Sequence, residues 1–238
     1  MSKPYVIIGA HDGIGGAIAR RLGDQGADLI LTARSTQTLM GLQGRHVSLD
    51  VTKPEQISAF LSQIDAPQGL AGCVYAVGSI PLKPLKATQD EDFLSAFEVN
   101  VLGAVRVLRG LEKMLKAGKG SVVLFSSIAV QQGFTNHSVI SSAKGGIEGL
   151  ARALAAEWSP DVRVNVIAPS LTDTPLAIPL TSSAPMREAI EKMHPIARLG
   201  TADDMAGMAA FLLSSDSAWM TGQVLHVDGG RSSLRVKG

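Results

Sequence analysis

The stretch "VIIGAHDGIGGAIARRL", residues 6–22, sets Gly9, Gly13 and Gly15 between an apolar run and an amphipathic one. Each glycine meets a separate need of a strand–turn–helix corner that holds a dinucleotide. Gly9 permits the tight turn, Gly13 lets the backbone approach a pyrophosphate with no Cβ in the way, and Gly15 lets the helix pack against the strand. The N–H groups that open the helix then face the phosphates, with His11, Asp12 and Ile14 in the same loop. Glycines also occur at purely structural corners. The strand before them and the helix after them favour dinucleotide binding.

The next apolar run ends "LILTARS", residues 29–35. An acidic side chain there would bond the ribose 2′-hydroxyl of NAD(H). Arg34 offers instead a planar cation suited to the 2′-phosphate of NADP(H), and Ser35 can add a hydroxyl. Asp12 argues the other way, because a carboxylate in the glycine loop brings negative charge near phosphates. NADP(H) is the expected cofactor and NAD(H) the alternative. The plain structural reading of Arg34 is an exposed loop arginine.

Apolar runs at 5–9, 28–33, 46–51, 72–78, 121–126, 163–169 and 223–229 predict strands. Helical periods at 14–25, 54–64, 91–117, 139–158 and 203–214 predict the helices between them. Strands apolar on both sides, alternating with helices, predict a parallel sheet covered on both faces. Seven such runs, with no linker, charge block or repeat, predict one doubly wound α/β (Rossmann) domain over 1–238. An α/β barrel would need eight regular repeats, and the first loop argues against it.

The chain is 45% hydrophobic and 18% charged, so it can bury a large core. A net charge of +1 without a basic stripe argues against a nucleic-acid partner. No apolar run reaches the length of a membrane span, and the first is too short for a signal peptide. A cytoplasmic protein with no membrane association is expected. Cys73, the lone cysteine, sits in an apolar run and reads as a buried, inert thiol. The histidines, at 11, 46, 137, 194 and 226, lack paired ligand spacing, so no metal site is expected.

Several motifs in order make the chain resemble a short-chain dehydrogenase/reductase over nearly its whole length. They are Gly-x-x-x-Gly-x-Gly at 9–15, "LDVT" (49–52), "YAVG" (75–78), "FEVNVLG" (97–103), "VLFSSIA" (123–129), "RVNVIAPSLTDTP" (163–175) and the closing segment 197–230. The resemblance implies Asp50 and Val51 at the adenine, and Ala76 and Gly78 beside the cofactor. It also implies that Pro169, Thr172 and Thr174 belong to a segment wrapping the nicotinamide. Two departures stand out: "YAVG" keeps only the glycine of the family's Asn-Asn-Ala-Gly, and Ser170 replaces a usual glycine.

The same resemblance implies hydride transfer between a nicotinamide and a small carbonyl or alcohol substrate, with Asn100, Ser127 and Lys144 in the catalytic positions. Counting four residues back from Lys144 to the family's tyrosine reaches Ile140. Isoleucine has no proton to give, and a general acid contributes roughly 10²–10⁴-fold. Lys144 would still serve the nicotinamide ribose. The first candidate for a replacement acid is His137, which can titrate near neutrality. The second is a water held by Lys144 and Asn100. The third possibility, no turnover, gives the rival reading: a catalytically impaired NADP(H)-binding protein with a sensing or partner role.

The helix at 139–158 carries an apolar stripe of Ile140, Ala143, Ile147, Leu150, Leu154 and Trp158. Gly145, Gly146 and Gly149 interrupt it, as expected if another helix approaches closely. The resemblance implies a homodimer or homotetramer built on 91–117 and 139–158. The proline-rich segment 170–196 is expected to cover the substrate site.

Overall fold

The computed structural model describes residues 2–235. The expected domain span, 1–238, also includes residue 1 and residues 236–238, which lie outside the described residues. The chain opens with β1 (Tyr5–Ile8), α1 (Gly13–Asp24), β2 (Leu29–Ala33), β3 (Arg45–Ser48), α2 (Pro54–Ser62) and β4 (Gly72–Tyr75). There follow α3 (Asp90–Phe97), a π-helical turn (Glu98–Leu102), α4 (Gly103–Gly118), β5 (Ser121–Phe125), the short α5 (Ala129–Gln132) and α6 (Ser138–Trp158). The last part holds β6 (Arg163–Pro169), β7 (Thr172–Asp173), α7 (Ile178–Thr181), α8 (Ala184–Glu191), β8 (Gly200–Thr201), α9 (Ala202–Leu213) and β9 (Val224–Val227).

Seven strands form one sheet in the order β3-β2-β1-β4-β5-β6-β9, every pair parallel. Strand side chains alternate between the faces. Val6, Ile8, Cys73, Tyr75, Val122, Leu124, Val164 and Val166 pack with Leu108, Leu111, Ile147 and Trp158 of α4 and α6. Ile7, Leu31, Val74, Val123 and Ile167 pack with Ile18, Leu22, Met205 and Ala209 of α1 and α9. This double burial explains why the strands read as continuous apolar runs. Chain order reverses between β1 and β4, and sheets of this kind bind ligands outside the carboxyl ends of the strands at such a point.

The helix expected over 91–117 is not one regular helix. It breaks at the π turn 98–102, where the Gly103 N–H bonds to the Glu98 carbonyl. Asn100 Nδ2 donates to the Ala96 carbonyl at 2.8 Å, taking the acceptor that an α-helical N–H would use. A side chain competing for its own helix's carbonyl is the physical cause of the break. The other expected helices and strands keep their places, with ends shifted by a few residues. Cys73 is fully buried, and burial pushes its thiol up to about 12, as an inert thiol requires. Among the described residues no helix is long and apolar enough to cross a membrane.

Candidate active site

The glycine corner has the expected shape. Gly9 has φ +86°, and a Cβ there would lie 2.8 Å from Val77 Cγ2. A Cβ on Gly15 would lie 2.0 Å from the Gly9 carbonyl oxygen, so only a hydrogen lets α1 meet the turn. Gly13 faces Thr174, which brings the segment after β7 over the loop. Asp12 precedes α1 but does not cap it. Its carboxylate turns instead to His11 Nε2 at 3.0 Å. The first turn of α1 therefore keeps uncapped N–H groups and has no acidic side chain, an arrangement that favours an anion.

At the end of β2, Arg34 and Ser35 are exposed. Among the described residues Arg34 has no carboxylate within ion-pair distance. Its nearest acidic influence is Asp50, whose carboxylate accepts the Thr52 N–H and hydroxyl at 2.9 and 2.7 Å. Those bonds hold Asp50 below the usual carboxylate range, with a smaller contribution from Arg34. Val51 is buried beside it, and Ala76 follows β4.

The catalytic candidates gather at the carboxyl ends of β4 and β5. Ser127 lies just beyond β5, and its Oγ accepts the Ala129 N–H at 3.2 Å, leaving its own proton to give. Lys144, on α6, is buried, and Nζ donates to the Phe125 carbonyl at 2.9 Å. Burial lowers its ammonium from 10.5 to about 8. Asn100 sits in the π turn, with Nδ2 bonded to Ala96 and, at 3.1 Å, to Ser79 Oγ. Asn100 Oδ1 is buried and has no hydrogen-bond partner among the described residues. A Cβ on Gly78 would lie 3.0 Å from Asn100 Oδ1 and 3.2 Å from Lys144 Nζ. Gly78 thus leaves open a space that an unsatisfied acceptor and a cation with donors to spare both border.

Ile140 lies one turn before Lys144 on α6, is 3% exposed and adds no polar atom. No phenol elsewhere can take its place. The chain has two tyrosines. Tyr5 opens β1 at the opposite end of the sheet, and Tyr75 is buried, its hydroxyl donated to the Val99 carbonyl at 2.6 Å. His137 is the N-cap residue of α6, with Nδ1 2.7 Å from the Thr135 carbonyl and its ring edge-on to Phe134. Pro169 ends β6, its carbonyl accepting the Ile128 N–H at 3.1 Å, while Thr172 and Thr174 follow in and beside β7.

Over residues 9–232 the chain matches the family model described as enoyl-(acyl carrier protein) reductase. It is 35% identical to the 3-oxoacyl-(acyl-carrier-protein) reductase of Bos taurus, across 97% of this chain and 98% of that protein. This chain belongs to the short-chain dehydrogenase/reductase family. Solved structures agree. A gluconate 5-dehydrogenase from Burkholderia cenocepacia, in complex with NADP and tartrate, superposes with a TM-score of 0.90 at 25% identity, covering 99% of this chain and 97% of that one. A tyrosine-to-phenylalanine variant of ElxO with NADPH bound reaches 0.89 at 27% identity, covering 98% and 100%.

As a short-chain dehydrogenase/reductase, the chain is an oxidoreductase by family. The sequence placed Asn100, Ser127 and Lys144 by counting, and the fold brings them to one end of the sheet. It did not reveal that Ser170, His194 and Arg231 form a polar cluster beside Pro169. Ser170 Oγ lies 2.8 Å from His194 Nε2 and 3.3 Å from Arg231 Nη1. The one signal available was Ser170 itself, a hydroxyl where the family has glycine.

Proposed function

We propose that this chain transfers hydride between NADP(H) and a small carbonyl or alcohol, with Ile140 in the family's tyrosine position and a proton path through Lys144 and Asn100. The observation that carries this reading is that the buried, unsatisfied Asn100 Oδ1 and the Lys144 ammonium both border the space beside Gly78 without bonding each other. The uncapped first turn of α1 and the unpaired Arg34 fit a dinucleotide with a 2′-phosphate. When bound, that cofactor supplies or accepts the hydride. The chain's own residues must orient the substrate and move one proton to or from its oxygen.

Ser127 can donate its hydroxyl proton to the substrate oxygen and so hold it, but a serine is too weak an acid to release that proton. Lys144, lowered to about 8, is an acid of suitable strength near neutrality. A water between its ammonium and Asn100 Oδ1 would satisfy both and extend their reach to the substrate oxygen. His137 is the weaker candidate: it sits at the N-cap of α6 with Nδ1 on the Thr135 carbonyl, and among the described residues it has no bond to Asn100, Ser127 or Lys144.

Ile140 also favours a second reading, an NADP(H)-binding protein with a sensing or partner role and little turnover. The ElxO variant, which lacks one tyrosine hydroxyl, has NADPH bound. In either case the protein is proposed to be a homo-oligomer. Leu94 and Phe97 are 67% and 41% exposed beside an open apolar groove of about 540 Å³ between α3 and α6. Gly149 faces open space and Gly145 nearly so, whereas Gly146 already packs on Phe97 of the same chain.

The test is NADPH oxidation over ketones, aldehydes and 3-oxoacyl thioesters, with Lys144→Met and His137→Ala alongside. Turnover that drops with Lys144→Met and survives His137→Ala is expected. Turnover abolished by His137→Ala alone would restore the imidazole as donor. Tight NADPH binding without turnover on any compound would select the second reading.

A further inference from the structure

We infer that Arg231 anchors an anion-binding subsite beside the carboxyl ends of β5 and β6, and that the carbonyl substrate carries a carboxylate or another anionic oxygen group. The substrate part of this inference rests on the proposed oxidoreductase reading; the anion site itself stands on geometry.

Arg231 follows β9 in a turn whose shape is set by Asp228. The two carboxylate oxygens of Asp228 accept the N–H groups of Gly230 and Ser232, each at 2.9 Å. The turn aims the guanidinium inward, where Cζ lies 4.7 Å over the ring of Phe134. Nη1 donates to Ser170 Oγ and Nη2 to Met193 Sδ, both at 3.3 Å. A hydroxyl and a thioether are neutral, weak acceptors. Elsewhere Arg106, Arg187 and Arg198 each meet a carboxylate. Arg231 is half-buried and has no carboxylate within ion-pair distance among the described residues. Burial works against its charge, the nearby Asp228 carboxylate offsets only part of that, and an incoming anion would offset more.

Ser170 cannot supply that compensation. His194 is buried, and its Nδ1–H donates to the Ile190 carbonyl at 2.9 Å. In the neutral ring Nε2 is then an acceptor, and the Ser170 hydroxyl gives its proton to it at 2.8 Å. In that arrangement the proton order runs from Arg231 to Ser170 to His194. A guanidinium has five N–H groups, so after two bonds it still offers a fork to a carboxylate.

The position suits a substrate group. Ser170 follows Pro169, whose carbonyl is bonded by Ile128, the residue after Ser127. Gln132 Nε2 donates to the Ser232 carbonyl at 2.8 Å, tying Arg231's neighbour to the loop that carries Phe134. These bonds tie the segments that carry Ser127 and Arg231 to one another, and the inference places the carbonyl of a short substrate at the first and its anionic end at the second.

The test uses the full chain, with succinate as the anionic probe and succinamide as its neutral match, titrated by calorimetry without cofactor. Saturable succinate binding is expected, weakened roughly 10- to 100-fold in Arg231→Gln. Arg231→Lys, which keeps the charge and loses the fork, should fall between, and it decides the matter if Arg231→Gln does not fold. Arg45→Gln, at an exposed arginine of β3, should leave succinate affinity unchanged. Succinate affinity equal in the Arg231 variants and the unaltered chain, or no saturable binding at all, overturns the inference. NADPH oxidation with acetoacetate and methyl acetoacetate then reads the substrate: Arg231→Gln should raise KM for the acid and spare the ester. Equal losses on both would make Arg231 a structural staple. Failure to reduce any carbonyl would remove the oxidoreductase reading and leave the binding result standing.

Discussion

Replacing Ile140 by Tyr returns a phenol to the turn before Lys144. A positioned general acid contributes roughly 10²–10⁴-fold, or about 3–5 kcal/mol of barrier. The buried cation one turn away, already lowered to about 8, is poised to stabilise a phenolate and so bring the phenol's pKa down. The larger side chain enters a place that is 3% exposed, so overpacking costs about 1–3 kcal/mol. For a chain of this size that lowers Tm by roughly 2–12 °C. The expected outcome is a less stable protein whose kcat for NADPH-dependent ketone reduction rises at least tenfold. Circular dichroism checks the fold, and NADPH titration checks that cofactor affinity holds. The double variant Ile140→Tyr, Lys144→Met should lose the gain. A folded Ile140→Tyr protein that binds NADPH normally and reduces nothing faster would refute the placement of Ile140 in the proton-donor position.

Arg34→Asp should weaken NADPH binding roughly 10- to 100-fold and leave NADH equal or tighter, read by calorimetry; unchanged preference would point to Asp12 as the controlling charge. Lys144 predicts a pH effect on stability. Below about pH 8 folded and unfolded chains both hold its proton, while from about 8 to 10.5 only the unfolded chain does. Unfolding free energy should therefore rise with pH through that window, by on the order of 3 kcal/mol, and Lys144→Met should flatten the rise in urea titrations. The apolar face of α3 predicts self-association. Light scattering should give a multiple of 24.9 kDa, and Leu94→Glu with Phe97→Glu should reduce it to the monomer.

The architecture was legible in the sequence because its causes are local and periodic. Double-sided apolar strands, helices at the 3.6-residue period and the corner at Gly9 and Gly15 each follow from a few neighbouring residues. Counting along family-like motifs also gave the expectation that Asn100, Ser127 and Lys144 share a site with Ile140, and the fold brings the first three to one end of the sheet. The π turn was hidden, because it depends on Asn100 Nδ2 winning the Ala96 carbonyl from the backbone, a competition that helical periodicity does not record. The glycines of α6 looked alike in sequence, yet Gly146 meets Phe97 while Gly149 meets nothing. Charge states were equally out of reach. Lys144 is lowered because the packed protein removes it from water, and Arg231 has no carboxylate within ion-pair distance among the described residues because the turn at Asp228 aims it at neutral partners. Ser170 lies 24 residues from His194 and 61 from Arg231, so only the parallel sheet, by bringing the ends of β6 and β9 side by side, makes a site of them.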